Sequence, residues 1–198
     1  MNFNINNYIY KSTQTKLFML IKRQRFNHSV RVALTAGYLA KKYNININKT
    51  ILAGFLHDCG KGLSINEIKK LIKKEKIRMD IEYKSIPGLW HGIIGEQIAK
   101  KIFGINDTEI LKAIKYHSIG FKNMTKLQKI IYISDYIELG RKYKSSRRIR
   151  KLLYINKITL NNLLLAVLKV KLNYLLNKLF LINSGSITLY NSLIKQQQ

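Results

Sequence analysis

The chain has 198 residues, a hydrophobic share of 46% and one proline, which argues against a disordered or linker-rich protein and suggests one domain, or a domain with a helical appendage. Its only cysteine, Cys59, excludes a disulfide framework and a cysteine-ligated zinc site, and fits a reducing compartment. The formal net charge of +26 comes with 28 Lys, 30 Ile and 18 Asn, the trio an AT-biased genome enriches in any protein, so composition explains much of it. The positive field is still real and draws polyanions.

The periodicity is helical throughout, without convincing alternating strands, and predicts an all-α chain. Residues 1–15 are polar and Asn-rich, unlike a signal peptide, and are expected to be poorly structured; the folded unit is expected over 16–195. Helices are expected over about 16–24 and 27–43, where His28, Val32, Ala36 and Leu39 share a stripe. A third, over about 49–59, meets its stop at Gly60 and Gly62. Ser64 and Glu67 have capping-box spacing for a basic helix to about Lys76, and a loop with Pro87 follows.

The next helix is expected over about 90–103, and Asp107 is a natural N-cap for one reaching His117. Thr125 and Gln128 repeat the capping-box spacing before an apolar helix to Leu139. The basic run 141–151, seven basic residues in eleven, reads as a solvated face and leads into helices over about 158–182 and 186–194. The greasy stretch 163–182 is interrupted by Lys169, Lys171 and Lys178, so no membrane span is expected.

Only four histidines and four aspartates occur, and most of them fall where apolar residues are expected. His28 and His117 lie on packed helix faces, His57-Asp58 directly follows the apolar run 51–56, and Asp135 sits inside 130–137. An unpartnered carboxylate buried there costs several kcal/mol, roughly 2–7 for a neutral polar group and more for a charge. The shared explanation is a metal: imidazoles and carboxylates suit Fe, Mn, Zn, Co or Ni. His28, His57, His91, His117, Asp58 and Asp135 exceed what one open site needs and suit two adjacent ions with a bridging carboxylate. Such a pair ionises water and polarises a phosphoryl oxygen. Arg141, close after Asp135, and Lys61, three residues after Asp58, are placed to meet a phosphate. Cys59 and Trp90 read as packing residues.

These residues resemble the HD-domain metal-dependent phosphohydrolases: His28, then His57-Asp58, then Asp135. The segments Arg25–Val32, Leu56–Lys61, His91–Gly95, Ala113–Gly120 and Lys129–Arg141 resemble the YqeK-type branch in order, over about residues 22–194. The chain departs from that pattern at Gly60, at Leu139 where the family usually has proline, and at Asn183-Ser184 where it usually has His-Pro.

The resemblance implies a single all-α HD bundle with a C-terminal helical extension that hydrolyses diadenosine tetraphosphate symmetrically to two ADP. It implies two divalent ions, iron first, with Mn, Co, Ni or Mg as alternatives. His28, His57, Asp58 and Asp135 would hold one ion, Asp58 would bridge, and His91 and His117 would complete the other. Asp58, Lys61 and Arg141 would be catalytic, and Lys61, Ser118, Gly120 and Arg141 would lie along the polyphosphate. A dinucleoside polyphosphate is the expected partner, without a membrane, in the cytoplasm or an organelle stroma such as a plastid's; a homodimer is left open. Two rivals stay open: another HD nucleotide phosphohydrolase, such as a nucleotidase or alarmone hydrolase, and a basic nucleic-acid-binding protein with a structural metal site.

Overall fold

A computed structural model describes residues 4–155 and 158–197, and all regular structure among them is helical. The α-helices are, in order, α1 Lys11–Leu20, α2 Arg23–Lys42, α3 Ile47–Leu56, α4 Ile65–Lys74, α5 Ile81–Ser85, α6 Trp90–Phe103, α7 Thr108–Tyr116, α8 Lys126–Ile137, α9 Lys144–Leu152, α10 Leu160–Asn177 and α11 Ser184–Lys195. Both expected capping boxes form, Ser64 with Glu67 at α4 and Thr125 with Gln128 at α8, and the Asp107 side chain caps α7.

Helix α8 is the axis of the bundle, in contact with α2, α3, α7, α9 and α10. A helix enclosed by neighbours must be apolar on all sides, and Ile130, Ile131 and Ile133 have no exposed surface at all. Around it, Val32, Ala33, Ala36 and Leu39 of α2 and Leu163, Leu164, Val167 and Leu168 of α10 close the core. Among the described residues no helix is long and apolar enough to cross a membrane.

Four expectations are corrected. The poorly structured stretch expected over 1–15 is ordered over residues 4–15, with a 3-10 turn at Ile5–Asn7 and the start of α1; residues 1–3 lie outside the described residues. Hydrogen bonds hold it where apolar periodicity is absent: Asn4 Oδ1 accepts from the Asn6 amide, and Gln14 Nε2 donates to Asn6 Oδ1 and the Ile9 carbonyl. The loop expected around Pro87 contains α5, capped by Asp80. Part of the run 141–151 is helix α9, and Arg150 of that helix turns inward onto the carbonyls of Ile137, Glu138 and Arg141.

The helix expected over 158–182 stops at Asn177, because Leu179 takes a left-handed φ of 54°. The Phe180 amide then bonds the Leu175 carbonyl at 2.9 Å, a Schellman stop. Glycine usually marks that position; leucine there gives no warning.

Candidate metal centre

Five helices deliver the clustered side chains. His28 projects from α2, His91 from the start of α6 and Asp135 from α8, while His57 and His117 are the residues that end α3 and α7. Asp58 leaves the helix behind His57 and opens a 3-10 turn at Cys59–Gly62. At Gly60 that turn lies so close to α6 that a Cβ would meet the His91 carbonyl oxygen at 2.2 Å.

Three imidazoles are oriented by their own preceding turn. His57 Nδ1 lies 2.7 Å from the Gly54 carbonyl, His91 Nδ1 2.7 Å from that of Gly88, and His117 Nδ1 2.7 Å from that of Ile114. The acceptor is three residues back each time, and for His57 and His117 it is one of the carbonyls a helix end leaves without a partner. A carbonyl only accepts, so each Nδ1 carries the hydrogen and each neutral Nε2 presents a lone pair. His28 differs: its Nδ1 is 3.1 Å from Glu138 Oε1, and that carboxylate accepts from Arg31 Nε at 2.6 Å.

The inward atoms converge on Asp58. Its Oδ2 lies 3.5 Å from His57 Nε2 and 3.8 Å from His28 Nε2. Its Oδ1 lies 3.4 Å from His117 Nε2 and 3.6 Å from His91 Nε2. Asp135 Oδ1 joins the first pair, 3.1 Å from His28 Nε2 and 3.8 Å from His57 Nε2. Two donor groups result, His28–His57–Asp58 and Asp58–His91–His117, both buried and sharing one carboxylate.

Hydrogen bonding alone leaves this cluster unsatisfied. His57 Nε2 and Asp58 Oδ1 are buried without a hydrogen-bond partner. His91 Nε2 and His117 Nε2 face each other at 3.1 Å, and the Ser118 hydroxyl, 3.2 and 3.0 Å from them, has one hydrogen to give. Opposed lone pairs and an orphaned carboxylate oxygen fit divalent cations, and the outer hydrogen bonds on Nδ1 are those that orient metal-bound imidazoles.

Electrostatics keep His57, His91, Asp58 and Asp135 in metal-binding form. Burial holds His57 down at about 4 and His91 at about 3, so both are neutral at physiological pH. For Asp58 the burial cost is overcome by His57 and further by His117 and Lys61, and its carboxyl lies well below the usual range. Asp135 is likewise depressed, burial being outweighed by the hydrogen bond from His28 and, at the acid pH where His57 is protonated, by attraction to that ring. Glu138 is lowered to about 2, against its burial, by hydrogen bonds from His28 and Arg31.

Cations ring the cluster. Arg25 Nη1 bonds Asp58 Oδ2 at 2.9 Å, Lys61 Nζ lies 3.5 Å from Asp58 Oδ1, and Arg141 Nη2 bonds Asp135 Oδ1 at 2.9 Å. Arg141 stands where two clefts meet. One, of about 440 Å³, is basic, with Lys22, Arg25, Arg31 and Lys142 in its walls. The other, of about 650 Å³, has Ser118 and Asp135 in its walls together with the apolar Ile86, Leu89 and Leu181 and with Tyr174.

The HD domain profile matches residues 25–140, more than half of the chain. The symmetrical bis(5'-nucleosyl)-tetraphosphatase of Staphylococcus aureus is 36% identical over 175 residues, 88% of this chain and 85% of the relative. That of Bacillus subtilis is 32% identical over 174 residues, covering 88% and 91%. This is an HD-domain protein of the YqeK type. A crystal structure described as a predicted HD superfamily hydrolase involved in NAD metabolism, from Clostridium acetobutylicum, superimposes on this HD fold with a TM-score of 0.87. It is 34% identical and covers 96% of this chain and 98% of its own.

In this HD protein all six expected donor side chains come together, with Lys61, Ser118 and Arg141 beside them. Gly120 does not join them. It lines neither cleft; it is buried with φ 70° in the turn after His117, where a Cβ would meet Leu189 Cδ2 at 2.5 Å. Cys59 is buried and donates to the Gly95 carbonyl, and Trp90 Nε1 donates to the Tyr83 carbonyl; both are packing residues, as expected.

Sequence reasoning missed Arg25, Arg31, Glu138 and Lys171. Glu138 had a usable signal: it is one of only ten acidic residues and directly follows the apolar run 130–137. Arg25 and Arg31 lie in a segment that resembles the family and Lys171 interrupts an apolar stretch, but among 36 basic residues none of the three stands out by type.

Proposed function

We propose that this chain is a symmetrical bis(5'-nucleosyl)-tetraphosphatase that splits diadenosine tetraphosphate into two ADP, using two divalent ions held at the Asp58 cluster. The observation that carries this reading is the division of Asp58, one oxygen facing His28 and His57 and the other facing His91 and His117. His28, His57, Asp58 and Asp135 hold one ion, and Asp58, His91 and His117 the other. Iron is the ion we assign; Mn, Co and Ni suit the same donors. Bound there, such ions supply Lewis acidity and lower the pKa of water.

The chain's own residues do the rest. Water adds to one inner phosphorus, the bond to the bridging oxygen breaks, and each half leaves as ADP. Lys61 and Arg141 offset the charge that grows on the phosphoryl oxygens and the leaving ADP. Ser118 touches the polyphosphate from the side of His91 and His117. Cleavage into equal halves needs room for a nucleotide on both sides of the cluster, and the two clefts that meet at Arg141 support that reading. The net charge of +26 favours encounter with a polyanion.

The test is product analysis with metal-free protein reloaded with Fe²⁺, Mn²⁺ or Mg²⁺. ADP as the sole product is expected, lost by at least about a thousandfold in Asp58→Ala. AMP with ATP would overturn the symmetric geometry, and intact substrate with bound metal would overturn the substrate. A protein with neither metal nor turnover, whose binding to nucleic acid falls steeply with salt, would reinstate the nucleic-acid reading.

A further inference from the structure

The proposed mechanism leaves the inward-facing Lys171 unused. Lys171 lies on α10 between Val170 and Leu172, in a face otherwise committed to the core through Val167, Leu168 and Leu172. Its Nζ donates to the Ser118 carbonyl at 2.8 Å and sits 3.9 Å from the centre of the Tyr132 ring. An ammonium has three donors; the carbonyl takes one and the ring face a second, leaving one for the larger cleft, whose wall includes Lys171.

That cleft has two cations in its lining, Arg141 and Lys171. Arg141 is paired with Asp135, whereas Lys171 has no carboxylate partner among the described residues. Burial pulls its pKa down to about 8, against the attraction of Asp135. An anion reaching the cleft at this point gains a charge-assisted bond at little further desolvation cost to the lysine. The same cleft is also lined by Tyr174, Leu175 and Leu181. It therefore offers a cation to the charged part of a ligand and apolar surface to its ring.

We infer that Lys171 is a substrate-binding residue whose ammonium holds a phosphate of the nucleotide arm in the larger cleft, on the nucleoside side of the metal cluster. This rests on the nucleotide reading above. The test is calorimetric binding of AMP and of adenosine to the metal-loaded protein, in wild type, Lys171→Met and Lys171→Gln. Both variants bind AMP about tenfold more weakly, the scale of one hydrogen bond to a charged group, with adenosine affinity unchanged. Glutamine retains a donor for the Ser118 carbonyl, so its loss reports the charge even if the methionine variant folds poorly.

An unchanged AMP-to-adenosine ratio, whether or not Tm and kcat fall, makes Lys171 a structural tie and overturns the inference. Binding that depends on Lys171 without hydrolysis of diadenosine tetraphosphate leaves the inference standing and removes the proposed activity. Hydrolysis with an unmoved ratio does the reverse. A wild-type protein that binds neither ligand overturns both.

Discussion

The two halves of the Asp58 cluster present the same ring atom, a histidine Nε2, by different means. On the His91–His117 side each imidazole is fixed by a carbonyl one turn back, and the nearest further group is the Ser118 hydroxyl. On the other side His57 follows that local rule, but His28 is aimed by Glu138, which Arg31 holds in turn, with Asp135 and Arg141 alongside. One half is thus built from neutral groups of the local backbone. The other depends on ionic contacts between α2 and the end of α8, residues more than a hundred positions apart. Local carbonyls are fixed as soon as the helix forms, whereas an ionic relay can fail at any of its members.

The sharpest way to separate the halves is to remove a ligand from one. His91→Ala is expected to retain the ion held by His28, His57 and Asp135, to lose the other, and to lower turnover by at least about a hundredfold. Metal analysis beside initial rates checks this; loss of both ions together would show that the halves are not separable. A milder cut is Glu138→Gln, which removes the charge that orients His28. Metal affinity of the carboxylate-rich half should fall roughly 10–100-fold, the usual cost of losing an outer-shell partner. The His91–His117 half should keep its affinity in the same metal titration, and a uniform loss would dissolve the contrast.

Acid stability of the metal-free protein tests the contrast without the ions. Burial keeps His57 at about 4 and His91 at about 3, so as pH falls below 6.5 the unfolded chain takes up protons that the folded chain refuses. Stability should decline from pH 6.5 toward about 4, by at most about 1.4 kcal/mol per pH unit for each histidine. His28 has the opposite sign. Burial lowers its pKa, but the hydrogen bonds to Asp135 and Glu138 more than reverse this and raise it above 6.5. Its contribution is therefore complete below pH 6.5 and is lost as pH rises through the folded value. Urea midpoints across this range should peak near pH 6.5; a flat profile would mean the imidazoles are not desolvated.

What could be read from the sequence follows the same division between local and distant. The capping boxes at Ser64 and Thr125 and the cap at Asp107 are contacts within one turn, and all three form. The cluster of candidate donors was legible because histidine and aspartate are scarce and sit where apolar residues belong. The basic partners were not, because lysine and arginine are abundant and each contact depends on tertiary placement: Arg25 meets Asp58 across 33 residues, and Lys171 meets Ser118 across 53. Gly120 shows the converse limit. Its place in a motif suggested substrate, while its positive φ and its packing on Leu189 assign it to the turn. The end of α10 at Leu179 carried no signal, since nothing about leucine announces a left-handed residue.

The contact at Gly60 bears on how this chain can change. A composition drifting toward lysine, asparagine and isoleucine can be absorbed at solvent-facing positions with little penalty. At Gly60 there is no room for any of them, since even a methyl group would overlap the His91 carbonyl and crowd the Gly95 amide. The spacing between the turn that carries Asp58 and the helix that carries His91 is thus set by main chain against main chain. No neighbouring side chain can be exchanged to compensate a replacement there. That tolerance ends where the segments carrying Asp58 and His91 touch.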